Sequence, residues 1–340
     1  MKAPLKQLAN RLTPSSTLIT AIIVLATLAF GFDAQAATYT WVATSGSAPW
    51  TTSTSWTPTR TTPNNADILL FSGGGSVTAT AVPAQTVGKL QVSGNTTVTL
   101  QAGAASVFFQ IGAAATDSLT VAAGSQLNIS GANVLQINLN TTAKGSISGS
   151  MTFAGAANQL LAADASAITF NSGATFTADT GNTGNPFGSS GTANTVIFAS
   201  GSTFIQNAGS NPFGLGQPSS KVTFQAGSLY KMQVNSAPSL SGRTYANLEI
   251  NATGFSQSGT GTAALSIDNL TMTVGVLNLN LTAGIAINGN ISVASSQTLT
   301  FSPASANTLT FGGTGTQVIS GAGTLTFAAN TAVVVGGSST

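Results

Sequence analysis

The sequence contains neither cysteine nor histidine. That absence excludes a Ser/His/Asp or Cys/His nucleophile system, a thiol redox centre, a disulfide framework and a zinc site of the usual ligands. Charge is scarce as well: 9 Lys or Arg stand against 7 Asp or Glu, only 5% of the chain, where a soluble domain has about a quarter. Whatever chemistry remains must come from a few carboxylates and many hydroxyls. No cofactor or metal is implied, because no stretch clusters the Asp ligands that a repeat calcium site needs.

The basic balance is concentrated at the start. Lys2, Lys6 and Arg11 precede an uncharged apolar run from Leu18 to Phe32, followed by Asp33-Ala34-Gln35-Ala36. About 15 residues fall short of the ~20 that span a bilayer, and the small residues at the end form an A-x-A site, so residues 1–36 read as a secretory signal peptide. An uncleaved N-terminal anchor is the rival reading. Cleavage after Ala36 removes three bases and one acid and leaves a formally neutral mature chain. It has no basic stripe for nucleic acid or anionic lipid and no second run long enough to span a membrane. The expected location is extracellular or on the outer cell surface.

From Val87 onward, short alternating segments such as Leu135–Leu139, Leu277–Leu281 and Ile285–Ile287 are separated by Gly, Ser, Ala and Asn. Period 2 marks half-buried strands. A corner motif recurs between them: VAAGSQL from Val121, FNSGATF from Phe170, FASGSTF from Phe198, FQAGSLY from Phe224 and VASSQTL from Val293. Each copy sends an apolar residue into a bend and returns another six positions later. Longer units start at Ile168, Val196 and Val222, at nearly equal intervals. Repeats of about 20 to 50 residues belong to solenoids, whose units bury their apolar faces only by stacking. Propeller blades are longer and more regular.

The sequence therefore predicts an all-β fold, a right-handed parallel β-helix over residues 76–340 with roughly ten to thirteen coils of ~20–28 residues. Phe170, Phe198 and Phe224 should lie inside it at equivalent corners. Residues 37–75, with Trp41, Trp50 and Trp56 before the strand Ile68–Phe71, read as an N-terminal cap over the first coil. The rival reading makes Trp50 and Trp56 a sugar-stacking platform.

The cap run Tyr39-Thr40-Trp41, Trp50-Thr51, Trp56-Thr57-Pro58 and Asn65–Phe71 resembles the start of repetitive β-helical surface and secreted proteins of Gram-negative bacteria. Gly289–Val293 and Gly321–Phe327 look like the strand repeats of autotransporter passengers. The resemblance implies an adhesin or surface-layer role, with surface glycans or copies of itself as partners. The chain departs from it in having neither a C-terminal outer-membrane barrel nor a sorting domain.

β-Helices also host polysaccharide lyases and hydrolases. Glu249 and Asp268 sit at outward positions separated by close to one short coil, with Arg243 nearby; paired carboxylates are the minimum for glycoside acid/base chemistry. Solvated outward charge is the plainer reading, and Asp164 and Asp179, which flank a turn-rich segment, are weaker candidates. Thr-x-Thr pairs beginning at Thr271, Thr298, Thr308 and Thr324 raise a third class, ice binding by an ordered Thr face, although they are irregularly spaced. The segment Thr331–Val335, followed by Gly336–Thr340, has no capping sequence. The expectation is that the chain is the front part of a longer protein or stacks end to end on another copy.

Overall fold

The computed structural model describes residues 36–112, 117–303 and 305–336; the signal-peptide reading of residues 1–36 lies, Ala36 apart, outside them. Alternation dictates the local structure. In Thr97–Ala102 and Val134–Leu139, Val, Leu and Ile alternate with Thr, Gln and Asn, and buried positions alternate with half-buried ones. Strands of this kind stack coil upon coil in parallel to form a β-solenoid of about 11 turns. At ~4.8 Å per strand step the axis is on the order of 50 Å long.

Three faces surround the core. Face A stacks Ile68–Phe71, Lys89–Val92, Leu119–Val121, Gly145–Ile147, Ile168–Phe170, Val196–Phe198 and Val222–Phe224. Face B stacks Ser45–Pro49, Ser76–Val82, Thr97–Ala102, Gln126–Ile129, Ser150–Phe153, Thr175–Ala178, Thr203–Gln206 and Leu229–Met232. Face C begins with Gln85–Val87, Ser106–Ile111, Val134–Leu139 and Gln159–Ala162.

Inside, equivalent positions form columns. Phe170, Phe198 and Phe224 are in register on face A, all buried, with neighbouring rings 4.6 and 5.1 Å apart and nearly parallel. Phe176, Phe204 and Tyr230 form the next column on face B. Between the two columns the corner glycines Gly173, Gly201 and Gly227 have φ of 82, 80 and 84°, a left-handed conformation that costs other residues roughly 1–2 kcal/mol. That requirement explains four of the five corner motifs, Gly124 with φ of 77° serving the first. The fifth, Val293 to Leu299, turns at a different corner: Val293 continues face B above Met272, and Leu299 stacks on Leu277 of face C.

After Met232 the coils change character. Thr244–Gly261 and Leu265–Leu281 are continuous strands that carry their pairing round the corners. In this part Tyr245, Ile267, Ile287, Phe311 and Val335 form one inward column. The described chain begins with Thr38–Trp41, which pairs in parallel with Ile68–Phe71 and antiparallel with Trp56–Thr57. No helix among the described residues is long and apolar enough to cross a membrane.

Candidate functional site

The charged candidates occupy three different settings. Arg243 lies where face A is interrupted, because no ladder joins Val222–Phe224 to the following coil. Its guanidinium is buried in the gap. It donates to the carbonyls of Ser219 (2.5 Å) and Leu215 (2.8 Å) and to Ser239 Oγ (3.2 Å), and its Cζ sits 4.7 Å from the centroid of the Phe213 ring. Burial lowers its pKa from the usual value, while those carbonyls hold the charge in place. Two grooves of about 500 and 190 Å³ adjoin it, lined by Pro218, Gly242 and Thr244 among others. No carboxylate lines either groove.

Glu249 lies on face B, where it pairs with Lys231 at 3.2 Å and accepts from Thr273 Oγ1 at 2.9 Å. Asp268 accepts from Asn288 Nδ2 at 3.4 Å. One coil here runs from Tyr245 to Ile267, so the neighbour of Glu249 one coil on is Thr271 and not Asp268. The separation of the two carboxylates in sequence is therefore not a stacking interval. Asp164 accepts from the Thr142 backbone N–H at 2.6 Å and Asp179 from Asn207 Nδ2 at 3.1 Å.

Trp50 and Trp56 are both 2% exposed. Their rings meet edge to face, centroids 5.0 Å apart, and both pack on Phe71; Trp56 Nε1 donates to the Trp50 carbonyl. Their faces are covered by other aromatics, so they offer no surface to a sugar ring. Of the Thr pairs, Thr298 and Thr324 stack directly on face C, Thr271 lies on face B, and Thr308 pairs with Ala332.

A more regular feature lies elsewhere on face B. Two outward columns run along it: Ser76, Thr97, Gln126, Ser150, Thr175 and Thr203 in one, Thr78, Thr99, Asn128, Thr152, Thr177 and Ile205 in the other. Every row is in register and none carries a charge. No hydrogen bond to another protein group is made by these side chains among the described residues. Face C differs, since several of its outward side chains are hydrogen-bonded between coils: Gln136 Nε2 donates to Gln159 Oε1 at 2.6 Å and Thr86 Oγ1 to Gln110 Oε1 at 3.1 Å. The sequence intervals between successive rows of face B are unequal, which hides the columns from a search for fixed spacing. A sequence signal exists in the Ser/Thr-x-Thr that follows a corner, as in Gly173-Ala174-Thr175-Phe176-Thr177.

No family model, curated protein or solved structure matches this chain. The architecture alone is established, stacked parallel coils forming a β-solenoid of about 11 turns, and no match supports the likeness to autotransporter passengers.

Proposed function

We propose that the protein is a secreted or cell-surface structural, adhesin-like solenoid that works through its length and uncharged hydroxyl-rich surface and carries out no catalysis. One observation supports this most strongly: the scarce charges serve the scaffold. Arg60 and Asp67 form a buried pair at 2.8 Å, Lys89 meets Asp117 at 2.6 Å, Lys231 meets Glu249, and Lys221 donates to the carbonyls of Ser190 and Thr192. A hydrolase needs a proton donor and a base converging on one substrate atom. The test is a glycan array run beside a reducing-sugar assay on the same preparation. Binding without turnover supports the proposal; turnover that disappears in Glu249→Ala or Asp268→Ala overturns it. Export is checked separately by N-terminal sequencing of the secreted protein, with Ala37 as the expected first residue.

Self-association belongs to the same reading. The inward residues of the last described coil are open: Ile319, Phe327, Val333 and Val335 are all exposed. No Lys, Arg, Asp or Glu stands after Asp268 in the sequence, so this edge lacks the charges that usually block strand pairing. A second copy meeting this coil would bury those side chains and pair the open backbone. Sedimentation should show concentration-dependent association, suppressed in Val334→Lys and in Val335→Lys. A wild-type chain that stays monomeric at high concentration refutes it.

A further inference from the structure

We propose that the outward face of face B, between Ser76 and Thr203, is an ice-binding surface. Rows follow one another at the strand spacing of ~4.8 Å, and the two columns are separated by two residues along each strand, ~6.7 Å. Hydroxyl oxygens therefore recur in both columns in the rows Ser76/Thr78, Thr97/Thr99, Ser150/Thr152 and Thr175/Thr177, with the amide row Gln126/Asn128 between the second and third of these and a single hydroxyl, Thr203 beside Ile205, in the last row. Thr is stiff about χ1 because it is β-branched, so its hydroxyl and methyl positions are nearly fixed before any ligand arrives, and ordering them against a lattice costs little entropy.

The chemistry of the face selects its ligand. Its hydroxyls have no protein partners among the described residues, leaving their donors and acceptors for water, whereas on face C Gln136 donates to Gln159 and Thr86 to Gln110. Absence of charge matters equally, since an ion organises its own hydration shell and disrupts a regular water layer. The methyl groups of Thr97, Thr99, Thr152, Thr175 and Thr177 supply apolar spacing between the hydroxyls. The last row with two hydroxyls is Thr175/Thr177; Thr203/Ile205 follows it, and Leu229 and Lys231 then end the array. A crystalline polysaccharide is the other periodic hydroxylated lattice. Sugar faces are held by exposed aromatic rings, and the exposed aromatics among the described residues, Phe108 and Phe327, both lie on face C.

The inference goes beyond the structural role proposed above and is tested on the purified full chain wherever that chain resides. Freezing hysteresis is measured together with partition of the protein into a slowly grown ice front. The expected result is hysteresis with faceted crystals and enrichment in the ice. Most of the hysteresis should be lost in Thr152→Tyr and in Thr177→Tyr, which place a bulky side chain in the middle of the array at positions where a strand tolerates Tyr. Thr169→Tyr, on face A, should leave hysteresis unchanged, and thermal melts show that each variant remains folded. Should one face B variant fail to fold, Thr99→Tyr replaces it. A wild-type protein without hysteresis or ice enrichment overturns the proposal, as does hysteresis insensitive to all three face B substitutions. Retention on microcrystalline cellulose or chitin without any effect on ice also overturns it and assigns the face to polysaccharide.

Discussion

The first coil and the last described coil present the same kind of core in opposite ways. At the front, Trp41, Trp50 and Trp56 converge on Phe71, with ring centroids 4.9 to 6.4 Å apart, and the antiparallel strand Trp56–Thr57 covers the outer edge of Thr38–Trp41. At the back, Phe327 stacks on Phe301 below it, yet it is 41% exposed and Val335 is 82% exposed. A parallel solenoid leaves unpaired backbone groups and an apolar cross-section at any coil without a neighbour. The front coil covers both with aromatic bulk and a reversed strand, while the last described coil leaves its apolar side chains open. Stability should therefore be concentrated in the front, and readiness to pair with another chain in the back.

The largest effect expected from breaking this contrast follows Trp56→Ala. Removing a fully buried indole costs about 3–5 kcal/mol, and this one also donates the hydrogen bond to the Trp50 carbonyl. Urea unfolding should show a loss of that size. A variant that folds with unchanged stability but loses glycan binding would restore the sugar-platform reading of the tryptophans.

Next comes the buried pair of Arg60 and Asp67, whose side chains are each 3% exposed. Asp67 also accepts from the Asn64 backbone N–H at 2.9 Å. Asp67→Leu strands a buried guanidinium and should cost about 3–5 kcal/mol, and the double substitution Arg60→Met with Asp67→Leu should recover much of it. A double-mutant cycle on unfolding free energies measures the coupling. The coils beyond Asp268 have no counterpart to this experiment, since they carry no charged side chain.

Smaller still is Gly201→Ala at the corner between faces A and B. With φ of 80° the substitution should cost roughly 1–2 kcal/mol, read as a shift of the urea midpoint with unchanged slope. Gly284 has no positive φ, and nothing lies closer than 3.9 Å to an added methyl group; Gly284→Ala should be neutral to mildly stabilising. Equal costs at the two sites would show that the corner does not depend on left-handed backbone.

These corners also show why the sequence is legible in some places and opaque in others. Phe170, Phe198 and Phe224 align because the bend between faces A and B requires the same left-handed residue flanked by inward aromatics, a strong local constraint that leaves a motif. Ser296, also at positive φ, gives Val293–Leu299 the same appearance at a different corner, since a local motif does not record which faces it joins. Glu249 and Asp268 illustrate the complementary limit. Their spacing suggests stacking only if the coil length is known, and it varies from coil to coil wherever a loop is extruded. The hydroxyl columns of face B are hidden for that reason. The burial of the tryptophans is legible because three indoles in a chain with 7% aromatics need somewhere dry to go.

The smallest effect tests the contrast by pH. Lys89 Nζ donates to Asp117 Oδ1, and chiefly that hydrogen bond, with the charge of Lys89 adding to it, lowers the Asp117 pKa below its ordinary 3.8. A carboxyl group whose pKa is depressed by folding contributes stability above its unfolded pKa and loses it as pH falls through the folded value. The loss should therefore begin below about pH 4. Asp117 is half exposed, so solvent screening holds the effect to a few tenths of a kcal/mol, ~0.3. The back of the solenoid has no titratable side chain after Asp268, so acid has nothing to act on there. Amide exchange compared at pH 5 and pH 3, after correction for intrinsic rates, should show lost protection in Lys89–Val92 and Leu119–Val121 and none in Thr298–Phe301 or Asn307–Phe311. Equal loss at both ends would mean that acid opens the stack as one cooperative unit, and that the difference between the coils does not translate into separate local stabilities.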